Sequence, residues 1–103
     1  MNVQALSNVD LSNAVSVAVA VDSRGDVIGD PALEITGLPQ ATREGVAFED
    51  IVEKAVFNVL DGLPKQKRRD PDLMEGAIER SVRGAVSEAW GKKPMCHVHV
   101  LVV

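Results

Sequence analysis

The sequence predicts an α+β fold, a two-layer sandwich in which a three-stranded sheet is covered on one face by two helices in the order β-β-α-α-β. Three observations carry this. AVSVAVAVD near the start and MCHVHVLV at the end alternate their side chains at strand period. Between them lie two stretches whose apolar residues recur at three- and four-residue steps, the spacing of an amphipathic helix. Each helix has a single apolar stripe, so one face of one sheet is the simplest partner for both.

At 103 residues and 46% hydrophobic, the chain is long enough for one compact core and too short for two. Residues 1–13 are polar and unpatterned and are expected to form a flexible N-terminal arm, with the domain spanning 14–103. The first strand then sets Val15, Val17, Val19 and Val21 on one face and Ala14, Ser16, Ala18 and Ala20 on the other. DSRGD turns the chain back as a hairpin, with Gly25 available for a positive φ. The second strand begins in DVIG and is expected to be interrupted at Asp30-Pro31, where proline removes a ladder donor. It resumes in ALEIT as an edge or bulged strand and ends near Gly37; residues 38–47 read as irregular.

From Phe48 the period changes. Phe48, Ile51, Val52, Ala55, Val56, Val59, Leu60 and Leu63 form the stripe of a helix of about four turns. GLPKQKRRD ends it and is expected to be a solvated loop. Asp70 and Pro71 restart the chain as N-cap and first helical residue, and Gly91 stops the second helix. Glu79 and Arg83 stand one turn apart on its outer side. The last strand follows Pro94; the sequence leaves open whether it lies parallel beside the first strand or antiparallel beside the second.

Composition narrows the function. A net charge of −4 and a pI near 5 are the opposite of the basic footprint of an autonomous nucleic-acid binder. Phe48, Phe57 and Trp90 are the only aromatics, which leaves little material for stacking bases. One cysteine excludes an internal disulfide and suits a reducing, cytoplasmic setting. The start lacks the pattern of a signal peptide, and no apolar run approaches the roughly 20 residues of a membrane span, so no membrane partner is expected.

Few residues suggest chemistry. CHVHVLVV resembles the opening of a zinc site, but strand alternation sends Cys96 to one face and His97 and His99 to the other. Two histidines at i and i+2 are two ligands, and no spacing marks a third, so the bland reading is a pair of half-exposed strand histidines. Cys96 reads as a small buried hydrophobe. KQKRR and Lys92-Lys93 flank the second helix and lie on the order of 30 Å apart, too far for one basic patch. No catalytic motif, phosphate-cradling loop or metal-ligand spacing is present, and no catalytic, cofactor-binding or metal-binding residue is assigned.

Taken together, the valine-rich opening strand with its aspartate-glycine hairpin, the G-x-P-x-x-x-x-x-G segment from Gly29 to Gly37, and the closing Lys92-Lys93-Pro94-Met95 before a terminal apolar strand resemble a known family. It is the C-terminal domain of ribonuclease J, the bacterial metallo-β-lactamase-fold ribonuclease, and the resemblance covers about residues 14–103. It implies a piece of a longer enzyme that processes and degrades RNA, with 5′-to-3′ exonuclease and endonuclease activity. The zinc of that parent would sit in a β-lactamase domain outside these residues, so this chain carries no cofactor, and RNA would be met through the parent. The resemblance also implies a role in oligomer assembly and support of activity.

Residue pattern and resemblance meet on the sheet face that the helices leave uncovered. Ala14, Ser16, Ala18, Ala20, His97, His99 and Leu101 are the candidate interface, for a homo-oligomer or for the parent's other domains. The alternative is an RNA- or protein-binding module using Lys65, Lys67, Arg68 and Arg69. A third reading, a small zinc protein or enzyme built on His97 and His99, also stays open.

Overall fold

A computed structural model of the chain describes residues 13–103. Its elements are β1 (Ala14–Val21), β2 (Val27–Thr36), α1 (Phe48–Gly62), α2 (Lys65–Arg68), α3 (Pro71–Trp90) and β3 (Met95–Val102). The fold is the expected α+β one, with a mixed sheet of order β2-β1-β3. The expected arm falls on residues 1–12, outside the described residues, apart from Asn13, whose carbonyl accepts the Met95 N–H at 2.8 Å.

β1 is the central strand, antiparallel to β2 and parallel to β3, which decides the position the sequence left open. Its valine face is the floor of the core: Val15, Val17, Val19 and Val21 are between 0 and 2% exposed. From above, α1 contributes Phe48, Val52, Ala55, Val56 and Leu60, and α3 contributes Met74, Ile78, Val82 and Val86. Burying this many valine-sized or larger side chains, at about 1.5–3 kcal/mol each, is the main force holding helices to sheet. The two helices also meet through a hydrogen bond from Ser81 Oγ to the Ala55 carbonyl at 2.9 Å.

α3 starts as its sequence dictates. Asp70 Oδ1 accepts the Asp72 and Leu73 N–H groups at 3.1 and 3.3 Å, with proline at the first helical position. At its other end the Gly91 N–H bonds to the Ser87 carbonyl at 2.7 Å. Lys92 Nζ lies 5.3 Å from the centre of the Trp90 ring, a cation–π contact that closes the helix end.

Two expectations are corrected. Asp30-Pro31 does not interrupt β2, which is one continuous strand; it is the edge and bulged strand expected, since three residues separate Ile28 from Ala32 where only Val19 separates their partners Ala20 and Ala18. Pro31 is accommodated because β2 is an edge strand and the bulge asks no ladder donor of it. KQKRR is not an open loop: Lys65–Arg68 form a single helical turn, with the Lys67 and Arg68 N–H groups bonded to the Pro64 carbonyl. Val102, on the helix-facing side of β3, is 54% exposed. Glu75 stands opposite Val100, and one helical turn back, about 6 Å, α3 begins at Pro71, so the helix starts too late in the chain to cover Val102.

Candidate functional site

The register of the sheet fixes what its uncovered face displays. Read across β2, β1 and β3, the rows are Thr36-Ala14-Met95, Glu34-Ser16-His97, Ala32-Ala18-His99 and Ile28-Ala20-Leu101. The central column is made of small residues, each half-buried by its neighbours, while His97, His99 and Leu101 on β3 are exposed. All seven candidate interface residues, Ala14, Ser16, Ala18, Ala20, His97, His99 and Leu101, therefore share one surface. A shallow depression of about 540 Å³ runs along it, with Ser16, Ala18 and Ala32 on its floor and Glu34, His97 and His99 on its walls.

Three contributors to this face were not legible in advance. Ile28, Ala32 and Glu34 join it because the β2 bulge returns the strand to an even pairing with β1. Ile28 and Leu101 are 47% and 48% exposed at opposite ends of one row, and Met95 lies uncovered three rows away. A face with two large apolar side chains bracketing an alanine, in a sheet whose other face is the core, is suited to covering by another surface.

The edges of the sheet are less available than its face. On the outer side of β3 the Val100 N–H donates to Glu75 Oε2 at 3.2 Å, so a side chain of α3 occupies a position that an added strand would need. On β2 the bulge and Pro31 break the row of donors.

Cys96 lies on the helix side, 9% exposed, and burial pushes its thiol pKa up against a weaker opposing pull from Arg83. It is separated from His97 and His99 by the plane of the sheet. The pair Glu79 and Arg83 forms as expected, half-exposed on α3 close to that thiol. Among the described residues no three histidine, cysteine, aspartate or glutamate side chains converge as a metal site, and the two histidines do not by themselves make a zinc centre.

The basic residues 65–69 lie at the end of the domain where β1 turns into β2. Arg68 is committed locally: its Nε donates to the Leu63 carbonyl at 2.9 Å. The hairpin is packed directly against this turn, for a Cβ on Gly25 would lie 2.4 Å from the Arg68 carbonyl oxygen. That contact places Arg24 on the same end as Lys65, Lys67 and Arg69, although it is far from them in sequence. Arg24 pairs with Asp22 at 3.9 Å, and Asp26 and Asp70 adjoin, so the cluster is a mixture of signs rather than a basic patch.

No helix of the described residues is long and apolar enough to cross a membrane. The model of the family described as the ribonuclease J C-terminal domain matches residues 12–103. A curated relative, the ribonuclease J of Sinorhizobium meliloti, is 40% identical over 89 residues, which cover 86% of this chain and 16% of that protein. The chain thus spans about a sixth of the length of the relative it matches.

Proposed function

We propose, since this chain belongs to the ribonuclease J C-terminal domain family, that it is a non-catalytic accessory domain and that its open sheet face is the surface on which a longer enzyme assembles. The parent would be a hydrolase that processes and degrades RNA as a 5′-to-3′ exonuclease and an endonuclease, with any zinc held outside these residues and RNA met through the parent. The observation that carries the reading is the uncovered face itself: a central column of Ala14, Ser16, Ala18 and Ala20 between outer strands that expose Ile28 and Leu101. Small residues let another surface approach to the roughly 10 Å at which sheets pack.

Ala18→Glu tests it. The position is half-buried in the middle of the face and open on its outer side, so a glutamate there costs the monomer only strand propensity, below about 1 kcal/mol. In an assembled face the same carboxylate is buried without a partner, and a loss of several kcal/mol follows. The expected result is loss of self-association by sedimentation with unchanged folding, both in this chain and in the longer enzyme. An Ala18→Glu enzyme that sediments as the wild type does sinks the reading.

A further inference from the structure

The sequence holds two histidines, and the sheet register sets both on the open face in neighbouring rows, His97 beside Ser16 and His99 beside Ala18. Residues at i and i+2 of a strand project side by side, with Cα atoms about 7 Å apart. Two imidazoles leaning toward each other close that span onto one metal ion at the usual nitrogen–metal distance of about 2 Å. Neither histidine side chain makes a hydrogen bond or an ion pair among the described residues, so their nitrogens are free for a ligand's role.

The surroundings favour a cation. Ser16 and Ala18 are small and leave a depression of about 540 Å³ between the histidines and Glu34 on the opposite wall. Glu34 shares the row of His97 two strands away, about 10 Å, and is likewise without a partner. No lysine or arginine stands in the four rows of the face, and Glu34 is their one residue of fixed charge. Outside these rows Glu79 borders the depression, already paired with Arg83. Imidazole suits the late first-row ions, whereas magnesium and calcium require oxygen. Cys96, the one thiol, lies on the helix side of the sheet and adds no soft ligand. Two imidazoles fall short of the three protein ligands of a catalytic zinc centre, and no third group converges on them. What the face offers is an open chelate, with water in the remaining positions.

We infer that His97 and His99 chelate a late first-row divalent cation, copper(II), nickel(II) or zinc(II), and that Glu34 holds the ion's water from across the depression. A carboxylate reached through water acts on the ion as a second-shell partner does. Copper(II) binds tightest, with nickel(II) and zinc(II) behind it. The inference goes beyond the reading of this face as an assembly surface and does not rest on it, since the face of one copy suffices.

The test is calorimetric titration of the untagged 103-residue chain with copper(II), nickel(II), zinc(II) and magnesium chlorides, with circular dichroism to confirm folding. The expected result is one ion per chain, with micromolar affinity for copper(II), weaker binding of zinc(II) and none of magnesium. His97→Gln and His99→Gln should each weaken binding by about tenfold or more, since losing a direct ligand costs no less than losing a second-shell partner. Glu34→Gln, far from both in sequence, should weaken it about threefold at low salt, the share of an exposed charge, and less at high salt. Cys96→Ala should bind as the wild type does. Histidine variants that bind as tightly as the wild type, or a Cys96→Ala chain that has lost the ion, overturn the site. An unchanged Glu34→Gln chain overturns the claim that the folded face, rather than two histidines alone, makes it. A chain that takes up no ion overturns the inference outright and leaves the assembly reading to Ala18→Glu.

Discussion

Gly25→Ala should be the most damaging single-methyl addition outside the core. The residue sits at φ +85°, and the added Cβ would lie 2.4 Å from the carbonyl oxygen of Arg68 and 2.6 Å from its carbonyl carbon and Cβ. Two of these atoms are backbone, so no side chain can swing aside; the hairpin and the α2 turn must separate by about 1 Å to restore ordinary contact. The left-handed backbone costs about 1–2 kcal/mol for alanine, and forcing packed elements apart adds about 1–3 kcal/mol. The sum, about 2–5 kcal/mol, is a large part of the roughly 5–15 kcal/mol that holds such a domain folded. Urea unfolding reads it directly, and Gly45→Ala is the internal control: φ is +86° there, but nothing lies within 4 Å of the new Cβ. That variant should lose only the dihedral cost, so the difference between the two isolates the contact with Arg68. Equal losses would refute the argument that the hairpin is seated on the 65–69 turn.

Acid should act on the same hairpin. The Asp26 and Arg24 N–H groups donate to Asp22 Oδ1 at 3.0 and 2.8 Å and hold its carboxyl below the ordinary value of 3.8. A carboxylate with a lowered folded pKa adds stability that is fully present above about 3.8 and is lost as pH falls through the folded value. Asp22→Asn keeps an oxygen acceptor for both bonds, so its acid unfolding curve should be flatter below pH 3.8 than that of the wild type; parallel curves would sink the assignment. Glu75→Ala removes the carboxylate from the Val100 N–H and should raise aggregation at high concentration, read by light scattering, without a change in fold. Replacing Lys65, Lys67 and Arg69 with glutamine should leave RNA retention and its salt dependence unchanged, because acidic neighbours already offset these charges. A flattened salt dependence would instead support the binding-module reading.

The parts of the fold that were legible in sequence are those set by local periodicity. The valine alternation of β1, the stripe from Phe48 and the Asp70-Pro71 start all carry their geometry in consecutive residues, and all three stand as expected. The site was half legible for the same reason. Ala14, Ser16, Ala18 and Ala20 share a face by alternation alone, and His97, His99 and Leu101 likewise. Joining the two sets needed the parallel pairing of β1 with β3, a contact between residues some 80 apart that no local signal encodes. Glu34 and Ile28 were out of reach because their side depends on the number of residues absorbed by the bulge. One residue more or fewer would reverse Ile28 relative to Glu34. Pro31 correctly signalled an irregularity, but a missing donor is compatible with either a break or a bulge at a sheet edge.

The bulge also bears on why association would use the face and not an edge. A regular β2 with its donors in line, beside a β3 edge free of Glu75, would offer two ladders for strand addition, and backbone pairing is indifferent to side-chain identity. Here a carboxylate from α3 takes a backbone donor of the β3 edge and Pro31 breaks the row on the other. What remains exposed discriminates by side chain: apolar ends at Ile28 and Leu101, an acid at Glu34 and imidazoles at His97 and His99. Recognition through such a face depends on register, because a shift of one row replaces the Glu34-Ser16-His97 row by Ala32-Ala18-His99 or by Thr36-Ala14-Met95. Three strands of about 26 Å at about 4.8 Å spacing offer roughly 400 Å² of face, half of the about 800 Å² that each partner gives to a standard interface, so what such a face would add to a larger contact is selectivity more than affinity.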